Sequence, residues 1–257
     1  MHAENPSGIS LNKFISDTGL CSRRQADTLI REGRVCINNV VATLGNRVLQ
    51  GDIVTLDGNP LVSEEEKPVY ILLNKPRGIT CTTERHIPDN ILDFVNHSRR
   101  IFPVGRLDKD SEGLIILTSD GDIVNKILRA GNQHEKEYIV TVNRPISKDF
   151  ISQMRQGVPI LGTTTLPCTV HKMNTYTFRI ILVQGLNRQI RRMCSYLGYE
   201  VQTLKRTRIM HLTLDHLPTG KWRDLTENEL GNILKKVARS SKTEEATRLA
   251  YHKHSKS

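Results

Sequence analysis

The chain has no apolar run long enough to cross a bilayer. The longest ones, such as Thr177 to Val183 with Arg179 inside it, fall far short of the roughly 20 residues a membrane helix needs. Its first residues, Met1-His2-Ala3-Glu4-Asn5-Pro6, lack the charged start and apolar core of a secretory leader. These absences lead us to expect a soluble, cytoplasmic protein with no membrane partner. The five cysteines (Cys21, Cys36, Cys81, Cys168, Cys194) are odd in number and widely separated, with no C-x-x-C pair and no histidine at metal-ligand spacing. Reduced thiols and no metal site are expected. H-E-x-x-H, G-x-x-x-x-G-K-[ST] and G-x-G-x-x-G are all missing, so nothing supports a metalloprotease centre or a nucleotide cofactor.

What is present is charge of one sign. The 257 residues carry a formal net charge of +10, and a basic surface gains affinity for polyanions by releasing their condensed counterions. Nucleic acid is therefore the leading partner class. The excess is concentrated: residues 185–208 hold Arg188, Arg191, Arg192, Lys205, Arg206 and Arg208 against Glu200 alone, which makes this stretch a candidate phosphate-binding face. With 37% hydrophobic residues, the chain can fill one large core and one small one.

Two regions differ in pattern. In residues 9–57, Leu11, Phe14 and Ile15 fall at helical spacing, Gly19 stops the turn, and Ser22 caps a second helix with apolar Ala26, Leu29 and Ile30. Val35 to Val41 reads as strand, turn, strand, and Gly51 to Gly58 as one more strand. We expect a small binding module at 1–62, a polar linker at 63–68, a larger domain at 69–239, and a basic, disordered tail at 240–257. Within the larger domain, strand candidates at 69–74, 101–104, 113–118, 137–142, 177–184 and 199–204 alternate with helix candidates at 89–97, 121–129, 147–155, 187–197 and 226–238. Strict β-α-β alternation is missing, so the expected class is α+β: a largely antiparallel, mixed sheet flanked by helices.

The first 60 residues resemble the S4 RNA-binding domain. The likeness rests on Leu11-Asn12-Lys13-Phe14, Cys21-Ser22-Arg23-Arg24-Gln25-Ala26, Ile30-Arg31-Glu32-Gly33-Arg34-Val35 and Val48-x-x-Gly51-Asp52. Net charge over 9–60 is only about +1, six basic residues less five acidic, so position carries the argument. Arg23 and Arg24 follow the capping Ser22, where exposed N–H groups and basic side chains can hold phosphate together. Asn12, Lys13, Ser22, Arg23 and Arg24 are thus the expected RNA contacts of this module, with ordinary solvated surface as the plainer alternative.

Farther on, Gly105-Arg106-Leu107-Asp108 sits just before the apolar run Leu114-Ile115-Ile116-Leu117. It resembles the catalytic motif of the RNA pseudouridine synthases, in the branch with an N-terminal S4 domain. Supporting motifs are Leu73-Asn74-Lys75-Pro76-Arg77-Gly78, Lys136-Glu137-Tyr138, Gly185-Leu186-Asn187-Arg188-Gln189-Ile190-Arg191-Arg192-Met193 and Leu204-x-Arg206-x-Arg208-Ile209. The stretches at 89–97 and 129–138 resemble one subgroup of the large-subunit ribosomal RNA enzymes. The resemblance spans about residues 9 to 235.

It implies an isomerase that needs no cofactor. Its target is one uridine of large-subunit ribosomal RNA, with a transfer RNA stem-loop as a further candidate, and the protein is expected to be a monomer. Asp108 is implied as the nucleophile, Arg191 as its fork-shaped cationic partner through two hydrogen bonds, and Tyr138 as the ring stacked on the target uracil, with its hydroxyl a candidate for removing the C5 proton. Arg106 is implied to enter the space left by an extruded nucleotide, and Asn187, Arg188, Arg192 and Arg208 to hold RNA nearby. Taken singly, each residue has a plainer reading: Asp108 as a turn cap, Arg191 as surface charge, Tyr138 as cross-strand packing, Asp110 and Glu112 as structural hydrogen-bonders, Trp222 as core. Two other functions compete. A non-catalytic S4-type RNA-binding or ribosome-assembly protein explains the charge but not the Arg106-Leu107-Asp108 loop. A glycoside-type hydrolase would normally want a second carboxylate.

Overall fold

The computed structural model describes residues 8–62, 67–128 and 134–238. Most of the expected linker, the stretch 129–133 and the expected tail lie outside the described residues. The chain divides into two compact units, the first ending at Lys67 and the second beginning at Pro68.

The first unit runs β1 (Ile9–Ser10), α1 (Leu11–Asp17), α2 (Arg23–Arg31), β2 (Val35–Ile37), β3 (Val40–Val41), β4 (Arg47–Val48), β5 (Val54–Leu56) and β6 (Asn59–Pro60). Its small core is made where the helix stripes meet the strands: Leu11, Ile15, Ala26 and Ile30 close on Val35, Val48 and Val54. Helix α2 starts at a full capping box, in which the Gln25 N–H donates to the Ser22 hydroxyl while the Ser22 N–H donates back to the Gln25 side chain. Asn38 and Asn39, both at positive φ (49° and 66°), make the tight turn between β2 and β3. Strand order is β3-β2-β5-β6, all antiparallel, with β1 paired to β4.

The second unit comprises β7 (Tyr70–Lys75), α3 (Ile91–Val95), β8 (Phe102–Val104), β9 (Glu112–Thr118), α4 (Gly121–Leu128), β10 (Lys136–Val142), α5 (Lys148–Gln156), β11 (Pro159–Ile160), β12 (Thr163–Thr164), β13 (Thr169–Lys172), β14 (Thr177–Leu182), α6 (Gln189–Tyr196), β15 (Val201–Ile209), β16 (Leu212–Thr213), β17 (Trp222–Asp224) and α7 (Glu227–Val237). Its nine-stranded sheet has the order β13-β14-β10-β15-β9-β7-β17, with β16 on β15 and β8 on β9. Every pairing in it is antiparallel except β15 with β9, so the sheet is mixed and mostly antiparallel.

Strands β7 and β9 read as unbroken apolar runs because both of their faces are covered. Leu72, Leu114 and Ile116 pack with α4 and α7, whereas Ile71, Leu73, Ile115 and Leu117 pack with α3 and Leu107. The other half of the sheet is covered by α5 and α6, whose Phe150, Met154, Ile190 and Met193 meet Val140, Phe178 and Ile180. The halves join at the parallel pair, where Gly113 lies opposite Arg206. At φ +108° a Cβ on Gly113 would stand 2.2 Å from the Arg206 carbonyl oxygen, so only glycine fits this joint.

Several expectations are corrected. The helix expected at 89–97 shrinks to α3, because Asn90 caps it and Asn96 turns left-handed at its end. The strand expected at 199–204 continues to Ile209, pairing along β10, which draws part of the basic stretch into the sheet. Trp222 is not core: it lies on edge strand β17, is 39% exposed, and has its ring 5.7 Å from that of His97. Among the described residues no helix is long and apolar enough to cross a membrane, and no group of His, Cys, Asp and Glu could hold a metal ion.

Candidate active site

The loop between β8 and β9 carries Asp108 to the end of the parallel joint. It is held from below and from both sides. Leu107 is buried and its N–H points at the Cys81 sulfur, 3.4 Å away, while burial pushes the Cys81 thiol pKa up. The Gly78 N–H donates to the Lys109 carbonyl at 2.8 Å, and the Ser111 N–H closes a turn onto the Asp108 carbonyl at 3.0 Å. Beneath it Lys75, 0% exposed, donates from Nζ to the Pro76 and Ile79 carbonyls, each at 2.8 Å. Burial lowers its pKa, against the pull of Cys81 and of Asp108, Asp110 and Glu112. A loop anchored this way presents its carboxylate at a set position.

Two arginines face that carboxylate. Arg191 Nε lies 3.5 Å and Arg188 Nη1 3.6 Å from the same oxygen, Oδ2 of Asp108. Both distances are those of ion pairs rather than hydrogen bonds. The expected fork from Arg191 onto Asp108 is therefore corrected. Its Nη2 donates to the Asp110 carbonyl (3.3 Å) and the Ser111 hydroxyl (3.2 Å), its Nη1 reaches the Val201 carbonyl (3.4 Å), and its buried Nε has no hydrogen-bond partner. Arg191 thus ties helix α6 to the loop and leaves one N–H turned toward Asp108. Arg188 gains its position from a left-handed backbone (φ 49°) at the start of α6, a conformation uncommon for a residue with a Cβ.

Asp108 opens onto a cavity of about 380 Å³ lined by Arg106, Lys136, Tyr138, Arg191, Arg206 and neighbours. That volume falls in the range of ordinary small-ligand sites. Register explains the lining. Lys136 and Tyr138, two apart on β10, project to one face. On β15 an irregularity falls between the pairs Glu137↔Arg208 and Tyr138↔Arg206, leaving Thr207 as the extra residue. Without that bulge Tyr138 would face Thr207 and Arg206 would project from the opposite face. The slip of one residue brings Arg206 beside Tyr138.

Family models match both units: one described as RNA pseudouridylate synthase over residues 69–196, and the S4 domain over residues 10–54. The chain is 58% identical over 236 residues to the dual-specificity RNA pseudouridine synthase RluF of Escherichia coli K12, covering 91% of this chain and 81% of that one. It is 36% identical over 232 residues to the ribosomal large subunit pseudouridine synthase B of Bacillus subtilis, covering 87% and 94%. A solved crystal structure of a pseudouridylate synthase matches with a TM-score of 0.64 at 28% identity, over 88% of this chain and 99% of that one. The chain belongs to the RNA pseudouridine synthases.

As an RNA pseudouridine synthase with an N-terminal S4 domain, it is an enzyme acting on RNA, and its α+β fold is the expected one. The relative at 58% identity is of the F type, the subgroup that the stretches at 89–97 and 129–138 resemble. The geometry sorts the synthase's expected RNA contacts. Arg106 is exposed and lines the cavity beside Asp108. Asn187 and Arg192 are exposed and bonded to each other, Arg192 Nε to the Asn187 carbonyl at 3.0 Å. Arg208 does not stand free on a phosphate face: Glu135 (2.9 Å), Glu137 (3.5 Å) and the Met210 carbonyl hold its guanidinium. In the S4 unit Arg23 and Arg24 are exposed at the start of α2, Arg23 bonding Asn12 and Ser10. Asn12 donates to Asp27 (2.8 Å), and Lys13 is ion-paired to Asp17 (2.6 Å). Sequence reasoning gave Arg188 to the RNA rather than to Asp108. It left Lys75, Lys136 and Arg206 without individual roles. Alternation from Tyr138 could have placed Lys136, but nothing in the sequence marks the bulge at Thr207.

Proposed function

We propose that this synthase isomerises one uridine of large-subunit ribosomal RNA, with Asp108 as nucleophile toward a nucleotide flipped out of its stack, and that a transfer RNA stem-loop is a second substrate. The observation that carries the mechanism is that Asp108 is the single carboxylate among the described residues lining the cavity, and two arginines face it. An isomerase that rejoins the base to the sugar needs one carboxylate, whereas hydrolysis of a glycosidic bond generally uses two. The dual specificity in the name of the E. coli relative supports the pair of substrates.

In this reading an Asp108 oxygen attacks C1′ as the C1′–N1 bond breaks. The base turns, C5 bonds to C1′ as the carboxylate leaves, and a proton passes from C5 to N1. Arg188 and Arg191 face the carboxylate oxygen and can stabilise its negative charge as it leaves C1′. Tyr138, packed between two of the apolar clusters, offers its ring to the uracil face, and exposed Arg106 enters the gap left in the stack. The S4 unit adds a separate grip through Arg23 and Arg24, so the two units divide holding from chemistry.

The test is carbodiimide-probed primer extension on ribosomal and transfer RNA from cells lacking the protein, complemented with the wild-type chain or with Asp108→Asn. Pseudouridine does not change RNA mass, but its adduct stops the polymerase. A stop in large-subunit RNA restored by the wild type alone is expected, and its position names the target. A stop restored equally by Asp108→Asn contradicts the assigned nucleophile; no stop in ribosomal RNA contradicts the substrate.

A further inference from the structure

We propose that Arg206 and Lys136 form a cationic floor of the cavity that holds the carbonyl oxygens of uracil while the base is detached as an anion. This rests on the reading that the C1′–N1 bond is opened in the Asp108 cavity. It does not depend on whether Asp108 attacks C1′ or first removes a proton from the sugar. Either way the bonding pair of C1′–N1 departs with the base, and the negative charge spreads over N1, O2 and O4. When C5 then attacks C1′, the pair returns to a carbon–carbon bond and the C5 proton is replaced by one on N1. A site that receives this anion needs positive charge near the carbonyl oxygens, separate from the cations that serve the carboxylate.

The cavity holds such charge. Among the described residues, five cationic side chains line it: Arg106, Lys136, Arg188, Arg191 and Arg206. Arg188 and Arg191 face Asp108, and Arg106 is exposed. The remaining two are buried, Arg206 at 3% and Lys136 at 6% exposure. Neither forms an ion pair with a carboxylate among the described residues. Lys136 Nζ donates only to the His134 carbonyl (3.2 Å) and, at the limit, to the Val183 carbonyl (3.5 Å). Arg206 donates from Nε to the Leu114 carbonyl at 2.7 Å, and its Nη2 is buried with no partner at all.

An orphaned buried guanidinium N–H is costly, and two buried cations without a counter-charge are costlier. Burial, and then the neighbouring Arg206, push the Lys136 pKa down to about 8. The bulge turns Arg206 toward the face that Lys136 and Tyr138 share by alternation on β10, so both cations lie beside Tyr138, where a stacked uracil would present its edge. Fixed positive groups aimed at charge that develops during the reaction act most strongly where water is excluded.

The acceptor could instead be a backbone phosphate, and one experiment separates the two. Single-turnover rates are measured for the wild-type chain, Arg206→Gln, Arg206→Lys and Lys136→Met on RNA carrying uridine or 5-fluorouridine at the target position. The readout is loss of the N-glycoside in nuclease digests. Fluorine withdraws electrons from the ring, so the base leaves with less need of outside stabilisation. Arg206→Gln is expected to slow the uridine substrate about a hundredfold or more and the fluorinated one less than about tenfold, with RNA affinity within about threefold. Arg206→Lys should recover at least about tenfold of the loss, because it keeps the charge. Equal losses on both substrates would overturn the proposal. Weaker RNA binding with a salt slope lower by about one would place a phosphate there. If Arg206→Gln unfolds, as judged by circular dichroism, Lys136→Met carries the same comparison: an unequal loss supports the floor and an equal loss overturns it. Activity in Asp108→Asn would instead remove the reading beneath it.

Discussion

The two units of this synthase use positive charge in opposite ways. In the S4 unit the basic side chains are largely answered locally: Lys13 by Asp17, Arg34 by Asp57 at 2.6 Å and Glu32 at 3.3 Å, Arg23 by Asn12 and Ser10. Such exposed pairs contribute little stability and exchange readily for a phosphate. Among the described residues lining the cavity of the synthase unit, five cations stand against one carboxylate, and two of the five are buried with backbone carbonyls but no carboxylate as partners. A surface that must hold and release a polyanion can keep its charges hydrated and paired. A site that must receive charge formed during a reaction has to keep its cations unanswered until that moment.

This contrast can be broken at its strongest point first. Arg191→Lys should lower the single-turnover rate about a hundredfold with little change in RNA affinity, because a single ammonium cannot span Asp110, Ser111 and Val201 while still facing Asp108. A rate within threefold of wild type would show that the fork is not what positions the loop. Next comes the joint beneath the site. Gly113→Ala forces a Cβ against the Arg206 carbonyl at positive φ and should lower the melting temperature by about 5 °C or more. An unchanged melting temperature would mean the parallel joint can open. The smallest effect belongs to the first unit. Arg23→Ala with Arg24→Ala should weaken RNA binding about tenfold at physiological salt and lower the salt slope by about two, leaving the rate on bound RNA unchanged. A slower chemical step in that variant would contradict a division between holding and chemistry.

The parts legible in the sequence are those set by local pattern. Ser22 ahead of apolar Ala26, Leu29 and Ile30 announces a capped helix, and the cap forms. The Gly105-to-Asp108 loop ahead of Leu114 to Leu117 announces a functional loop on a buried strand, and β9 is buried from Gly113 onward. The parts that were not legible are set by tertiary register. Arg206 reads as one more basic residue in a polar stretch until a bulge at Thr207 turns it inward. Arg188 reads as a surface arginine until a left-handed residue aims it at Asp108. Trp222 reads as core because it is the single tryptophan, yet a three-residue edge strand keeps it partly in solvent. None of these leaves a periodic trace, because each depends on which neighbouring strand or loop the residue meets.

The measurement that bears most directly on the account is the paired determination of single-turnover rate and RNA affinity for Asp108→Asn on one RNA carrying the target uridine. The substitution keeps the size of the side chain and removes its charge, so the rate should fall at least about a thousandfold while affinity stays within about tenfold, since phosphate contacts supply most of the binding. A rate near that of the wild type would contradict the assignment of Asp108 as the group that opens the glycosidic bond.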